Sequence, residues 1–130
     1  MTLRAWVGAM FALVAVQAGT GAAAETVNYT GTARLESVKS VLPLASGDAA
    51  IIARSTGVAA LSTTPPALLT VQCAGLGQSR SETDFTARFY CSFVEDAGNG
   101  FDVTGSQDAN GGEAELMGGN GRWKDATGSM

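Results

Sequence analysis

The sequence predicts an all-β protein, an antiparallel meander that forms a small β-barrel, either closed or incomplete. No window of a dozen residues carries apolar side chains at the i, i+3, i+4, i+7 spacing of an amphipathic helix. Short apolar runs alternate instead with Gly, Asn, Asp and Pro, which is typical of strands and turns. The 17 glycines among 130 residues are close to twice the average share of about 7%. This length predicts one domain.

The charge and histidine content exclude several function classes. The chain has 8 Lys and Arg against 12 Asp and Glu, a net charge of −4, and no histidine. An acidic chain without a basic block is poorly suited to nucleic acid, so we expect no such partner. Without histidine there is no imidazole base, no Ser-His-Asp triad and no His-containing zinc site. No cofactor motif is present, and we expect no cofactor.

The N-terminal segment has the features of an export signal. Arg4 precedes the uncharged apolar run Ala5–Val16, and small residues follow up to Ala22-Ala23-Ala24. This order predicts a signal peptide over residues 1–24, cleaved after Ala24, and a single domain over 25–130. The run is shorter than the about 20 apolar residues of a membrane-spanning helix. We therefore expect a periplasmic or secreted protein without a membrane span after cleavage; the alternative is an uncleaved anchor.

The sequence contains two cysteines, Cys73 and Cys91, and their pairing is consistent with export. An even cysteine count in an oxidising compartment predicts a disulfide bond. Closing a loop of this length is worth about 3 kcal/mol in the chain-entropy model. Redox-active pairs have the shorter Cys-x-x-Cys spacing, so a structural role is favoured over a catalytic one.

The strands predicted in the N-terminal half are short. They cover Val27–Leu35, Val38–Leu44, Ala49–Arg54 and Gly57–Leu61. Pro43 places the second of them at an edge or at a strand end. A turn is expected at Ser46-Gly47-Asp48, and Thr63–Pro66 is expected to be a rigid connector, because the residue before a proline is extended.

The strongest strand prediction lies in the C-terminal half. Leu68–Ala74 is followed by a polar loop, Gly75–Thr83, and then by the alternating segment Phe85–Val94. Pairing these two strands brings Cys73 opposite or near Cys91. Further strands are predicted at Phe101–Thr104, Ala114–Met117 and Arg122–Ala126, with Asn-Gly turns at Asn99-Gly100 and Asn120-Gly121.

Three aromatic side chains share one face of the alternating strand. Phe85, Phe89 and Phe93 fall on the same side, because side chains alternate along a strand. Small barrels fill their interiors with side chains, which favours a core role. Lining a cavity for an apolar ligand is the alternative.

An acidic hairpin follows that strand. Glu95, Asp96, Asn99 and Asp102 offer oxygen atoms of the kind that bind calcium. Their spacing does not match an EF-hand, and hairpin loops are polar for solvation alone. A weak calcium site is therefore the secondary interpretation, and no metal site is assigned with certainty.

The glycine-rich segment near the C-terminus is predicted to be a turn. Gly118, Gly119, Asn120 and Gly121 invite a phosphate-loop interpretation, but Lys124 is followed by Asp rather than by Ser or Thr. The dinucleotide pattern also fails, because Lys124 occupies its third glycine position.

The stretch from Gly118 to Gly128, which reads GGNGRWKDATG, resembles a motif of the allene oxide cyclase and dirigent group of β-barrels. The order of two cysteines, an acidic hairpin and this motif is also similar to small exported bacterial proteins of that kind. The resemblance implies an eight-stranded barrel with a central cavity. Asn120 stands where a Thr is usual, and the motif positions are turn and packing positions, so no catalytic residue is carried over.

Three hypotheses about function follow from the sequence. The first is an exported protein that binds a small apolar ligand or a partner without catalysis. The second, which the resemblance implies, is a cofactor-free isomerase or cyclase. The third is a structural envelope protein that associates with itself through an open sheet edge. Further strands usually follow the motif, and only Ser129 and Met130 do so here, which predicts either such an open edge or a truncated form of the chain.

Overall fold

The computed structural model describes residues 7–18, 25–62, 66–96 and 98–130. It contains seven β-strands followed by a single 3-10 turn, Gly121–Trp123. The strands are β1 (Val7–Ala18), β2 (Glu25–Pro43), β3 (Ala49–Leu61), β4 (Ala67–Ser81), β5 (Asp84–Asp96), β6 (Asn99–Asp108) and β7 (Gly111–Asn120). The described residues include no α-helix, so the all-β prediction is confirmed.

The seven strands form one antiparallel meander in which each strand pairs with the next along the chain. The sheet order runs from β1 to β7 without a pairing that joins the two ends, so the sheet is open like an incomplete barrel. At the β7 edge the chain end adds a short extended segment. Ala114 N–H donates to the Met130 carbonyl at 3.0 Å, and Leu116 N–H donates to the Gly128 carbonyl at 2.9 Å.

The segment predicted to be the signal peptide falls partly on β1. Val7–Ala18 pairs with the first half of β2, from Glu25 to Arg34. The cleavage site Ala22-Ala23-Ala24 lies outside the described residues, and so does the connector 63–65 before Pro66. Cleavage stays a prediction.

The strands are longer than the sequence predicts. The two predicted strands between Val27 and Leu44 are one strand, β2, which ends at Pro43, and the two between Ala49 and Leu61 form β3. The predicted polar loop Gly75–Thr83 is wrong, because β4 continues to Ser81 and the connection to β5 is only the turn Glu82-Thr83. Polar residues on this stretch occupy the solvent-facing positions of a strand.

One turn prediction and one strand prediction also need correction. The chain reverses between Asp96 and Asn99, with Gly98 at φ 92°, so Asn99-Gly100 already belongs to β6. The predicted strand Arg122–Ala126 is wrong, because Gly121 at φ 59° begins the 3-10 turn there. This turn folds the Trp123 side chain back onto the sheet, where it is buried.

The sheet has one apolar inner face and one outer face. Burial alternates along β4 and β5, and the inner face of these strands carries the odd-numbered residues. This alternation is expected for a sheet that covers a core on one side. The core consists of Ala33, Ala59, Leu61, Ala67, Leu69, Val71, Phe93, Phe101, Val103, Leu116, Trp123 and Ala126.

Candidate functional site

The disulfide bond lies in the middle of the inner face. Cys73 on β4 and Cys91 on β5 are directly opposite each other in the register, with Cα atoms 4.1 Å apart, and they are bonded. The predicted pairing of these two strands is therefore confirmed. Both cysteines pack against the core, so the bond joins the centre of the sheet rather than a mobile loop.

One half of the inner face is filled by aromatic rings. The Phe93 and Phe101 rings are stacked, with centroids 4.9 Å apart and an interplanar angle of 9°. The Trp123 ring lies 4.8 Å from Phe101 at 55° and closes this half of the face. Phe93, one of the three aromatics proposed as cavity lining, is 5% exposed and belongs to this packed core. It leaves no room for a ligand there.

The other half of the inner face, which we call the open trough, is lined by small residues and two phenylalanines. Gly75 pairs with Phe89, and Gly77 pairs with Ala87 one row further from the core. Phe85 follows in the next row, and all five residues are only half-buried. Because glycine and alanine fill little volume, side chains cover this end of the inner face less completely than the other end, where the core residues are buried.

The Phe89 ring separates the packed half from the open trough. It lies over Gly105 on β6, where a Cβ atom would collide with the ring and come within 2.9 Å of the Ala114 Cβ atom. Glycine at position 105 therefore leaves the space that the end of the Phe89 ring occupies beside β6. The aromatic ring in turn covers backbone that would otherwise face solvent.

Polar groups are sparse on the inner face beside the trough. Lys39 stands in the same row as Gly75 and Phe89, opposite Ala53 on β3. One row nearer the core, the hydroxyl groups of Ser37 and Ser55 are hydrogen-bonded at 2.7 Å. Along the described rows from Lys39 to Phe85, no carboxylate shares this face. The trough thus combines an apolar floor with one ammonium group at its margin.

Two acidic residues of the predicted weak calcium site, Glu95 and Asp96, are hydrogen-bonded to other side chains of the molecule. The Arg122 guanidinium donates to both Glu95 carboxylate oxygens at 2.7 Å, and the Trp123 indole N–H donates to Glu95 at 3.4 Å. Asn99 donates its side-chain amide to Asp96 at 2.6 Å, while Asp102 lies exposed on the outer face of β6. Within the described ranges no group of three or more His, Cys, Asp or Glu side chains could hold a metal ion.

We expect the Glu95–Arg122 pair to stabilise the fold modestly. Arg122→Met should lower the free energy of unfolding by about 1 kcal/mol, because the bidentate bond is well aligned but the arginine is half exposed. A double-mutant cycle with Glu95→Gln, followed by urea denaturation, should give a coupling energy of about 0.5–1 kcal/mol. Arg80→Met is the matched control, because its contact with Asp48 is longer and more exposed. An additive double variant would contradict the prediction.

The glycine-rich motif holds the 3-10 turn against the sheet. Gly118, at φ 133°, lies at the irregularity in the β6–β7 register, and Gly119 approaches Trp123 so closely that a Cβ atom would lie 2.8 Å from the tryptophan Cβ atom. Asn120 ends β7 without a side-chain capping bond. Gly121 has no space for a side chain beside Asn99. The Gly128 carbonyl pairs with β7. Gly118, Gly119 and Asn120 form the end of strand β7, and the 3-10 turn begins only at Gly121.

An open groove of about 880 Å³ lies at the same end of the sheet as the open trough. It is lined by Leu76, Arg88, Ser106 and Glu113, among others. These four residues form one row across β4 to β7 on the outer face. The lining of the groove bears charges of both signs, from Arg88 and from Asp108 and Glu113.

Comparisons with known proteins do not identify a family for this chain. No family model, no curated protein and no solved structure matches this chain. The class that can be stated is an open antiparallel β-meander with a central disulfide bond. Across the described ranges, no helix is long and apolar enough to cross a membrane.

Proposed function

We propose that this chain is an exported binding protein that takes a small apolar ligand on the open trough. The single observation that carries this proposal is the contrast within the inner face: Phe93, Phe101 and Trp123 bury one half, while the other half is only half-buried around Phe85 and Phe89. An apolar surface left uncovered beside a packed core is a common feature of ligand sites.

The margin of the trough favours a ligand with an acidic group. Lys39 is exposed beside the apolar floor, and an ammonium group attracts a carboxylate more strongly where apolar surface excludes water. A medium-chain fatty acid has the required chemistry: a flexible apolar tail for the trough and one carboxylate for Lys39.

Export is part of the proposal, and the disulfide bond supports it. Cys73 and Cys91 are bonded, and such bonds persist in oxidising compartments. Together with the predicted signal peptide over residues 1–24, this favours a periplasmic or secreted location. The cofactor-free isomerase of the resembled barrel group remains the alternative function, and the trough would then be its substrate site.

Isothermal titration with a medium-chain fatty acid and with its methyl ester tests the proposal. The protein should bind both, and the acid should bind more tightly. Phe89→Ala should weaken both ligands by about tenfold, because an aromatic contact is worth about 1.5 kcal/mol or more. Lys39→Gln should weaken the acid alone.

The control is Tyr90→Ala, which removes an aromatic ring of the same strand from the outer face. This variant should bind like the wild type. Absence of binding to both ligands, or equal weakening by Phe89→Ala and Tyr90→Ala, would overturn the proposal. Turnover of a bound ligand to an isomer would favour the enzymatic alternative.

A further inference from the structure

The outer face carries large exposed apolar side chains, whereas the solvent-facing side of a sheet is usually polar. Val38 is 75% exposed, Ile52 53%, Leu76 61% and Tyr90 58%. Ile52 is directly opposite Leu76 in the register, and Ala74 is opposite Tyr90. These side chains form one continuous patch over β2 to β5. Contiguous exposed apolar patches on soluble proteins mark interaction surfaces.

Charges on the outer face are separated by strand. Arg54 on β3 and Arg88 on β5 stand within the apolar patch, and Arg34 lies on β2. The acidic side chains lie on the other side of the sheet: Asp102 and Asp108 on β6, Glu113 and Glu115 on β7. Glu36 on β2 and Asp84 on β5 are the exceptions on the basic side. The outer face therefore has a basic apolar half and an acidic half.

These charges are not used in ion pairs inside the molecule. The side-chain ion pairs among the described residues are Arg80–Asp48 and Arg122–Glu95. Arg54 and Glu115 both remain outside them and lie in the same cross-strand row, which runs from Val38 on β2 to Glu115 on β7. This row carries a cation on one side of the sheet and an anion on the other. Two copies of such a face attract each other when a twofold rotation places the cation of one copy near the anion of the other.

We propose that the outer face binds the outer face of a second copy of this chain, in a dimer with its twofold axis parallel to the strands. Rotation about such an axis lays β2 and β3 of one copy over β6 and β7 of the other, and it keeps each row at the same level. Arg54 then faces the acidic half of the other copy near its Glu115, and this contact occurs twice, as in every isologous interface. The apolar patches meet in the centre.

The charge pattern selects this arrangement over the other twofold packing. An axis perpendicular to the strands, in the plane of the interface, would lay each strand over its own copy. Arg54 would then face the basic half of the other copy, and like charges facing each other oppose binding. Two sheets packed face to face with nearly aligned strands are a common architecture.

Sedimentation velocity of the oxidised protein tests the proposal by a charge exchange. The wild type should be a dimer that weakens with salt, because part of the attraction is ionic. Arg54→Glu and Glu115→Arg should each raise the dissociation constant at least about tenfold, since each places like charges in contact twice. An equimolar mixture of the two variants should form a heterodimer of wild-type strength, because both contacts then join opposite charges.

Two control variants make the same charge changes away from the outer face. Lys39→Glu reverses a cation on the inner face of β2, and Glu82→Arg reverses an exposed acid in the β4–β5 turn. Both should dimerise like the wild type. A monomeric wild type, a mixture that stays monomeric, or controls as weak as the test variants would each overturn the proposal. Non-reducing electrophoresis confirms that every variant forms its disulfide bond.

Discussion

Replacing Cys73 by Ser is expected to lower the free energy of unfolding by about 2–5 kcal/mol. The disulfide bond joins directly opposed residues of β4 and β5 and closes a loop with a sequence separation of 18. In the chain-entropy model a loop of this size accounts for about 3 kcal/mol, because the bond restricts the unfolded chain. A small domain with a modest core loses a large part of its stability with such a change.

Guanidinium denaturation under non-reducing conditions measures the effect. Cys73→Ser leaves the Cys91 thiol free, so the double variant Cys73→Ser/Cys91→Ser is the second protein to compare, and it should be about equally destabilised. Reductant should destabilise the wild type by a similar amount and leave the double variant unchanged. An unchanged midpoint of Cys73→Ser without reductant would contradict the prediction.

The sequence predicts the centre of the sheet well because a single physical signal dominates there. Along Phe85–Val94, large apolar and polar side chains alternate, and burial alternates in the same phase. The cysteines add a distance restraint between two strands that the pattern alone would leave independent. Strand identity, the inward-facing side of β5 and the partner of Cys73 all follow from these two features.

The ends of the strands could not be predicted, because the conformation of the residues there depends on the residues opposite them on the neighbouring strand. Gly75 and Gly77 suggest a loop in isolation, yet they lie opposite Phe89 and Ala87 on the neighbouring strand. In that position a glycine is covered by the adjacent side chains and need not end the strand. The local sequence around a glycine does not identify the residue that lies opposite it on the neighbouring strand.

The 3-10 turn shows the same limit at the candidate site. Arg122 and Trp123 follow Asn120-Gly121, and this Asn-Gly pair predicts a hairpin turn with a strand after it. Their actual roles depend on partners far along the chain: Glu95 binds Arg122 across 27 residues, and Phe101 packs against Trp123. A large aromatic residue directly after a glycine-rich turn is the one local signal that points to a lid over the core.

Phe101→Ala is expected to lower the free energy of unfolding by about 3–5 kcal/mol. Phe101 is 2% exposed and lies between the Phe93 ring at 4.9 Å and the Trp123 ring at 4.8 Å. Its removal abolishes two aromatic contacts and leaves a cavity that cannot be refilled, because the disulfide bond and the sheet hold the surrounding backbone.

Val41→Ala is the control for this substitution, since it removes an apolar side chain that is 61% exposed and lies on the inner face, away from the proposed dimer surface. Its effect should stay within about 0.5 kcal/mol. Trp123 fluorescence should report the difference directly, because only Phe101→Ala opens the tryptophan environment to water. Equal losses for the two variants would show that the packed half of the inner face is not the stabilising core. The contrast between this packed half and the open trough around Phe89 would then no longer support a ligand site in the trough.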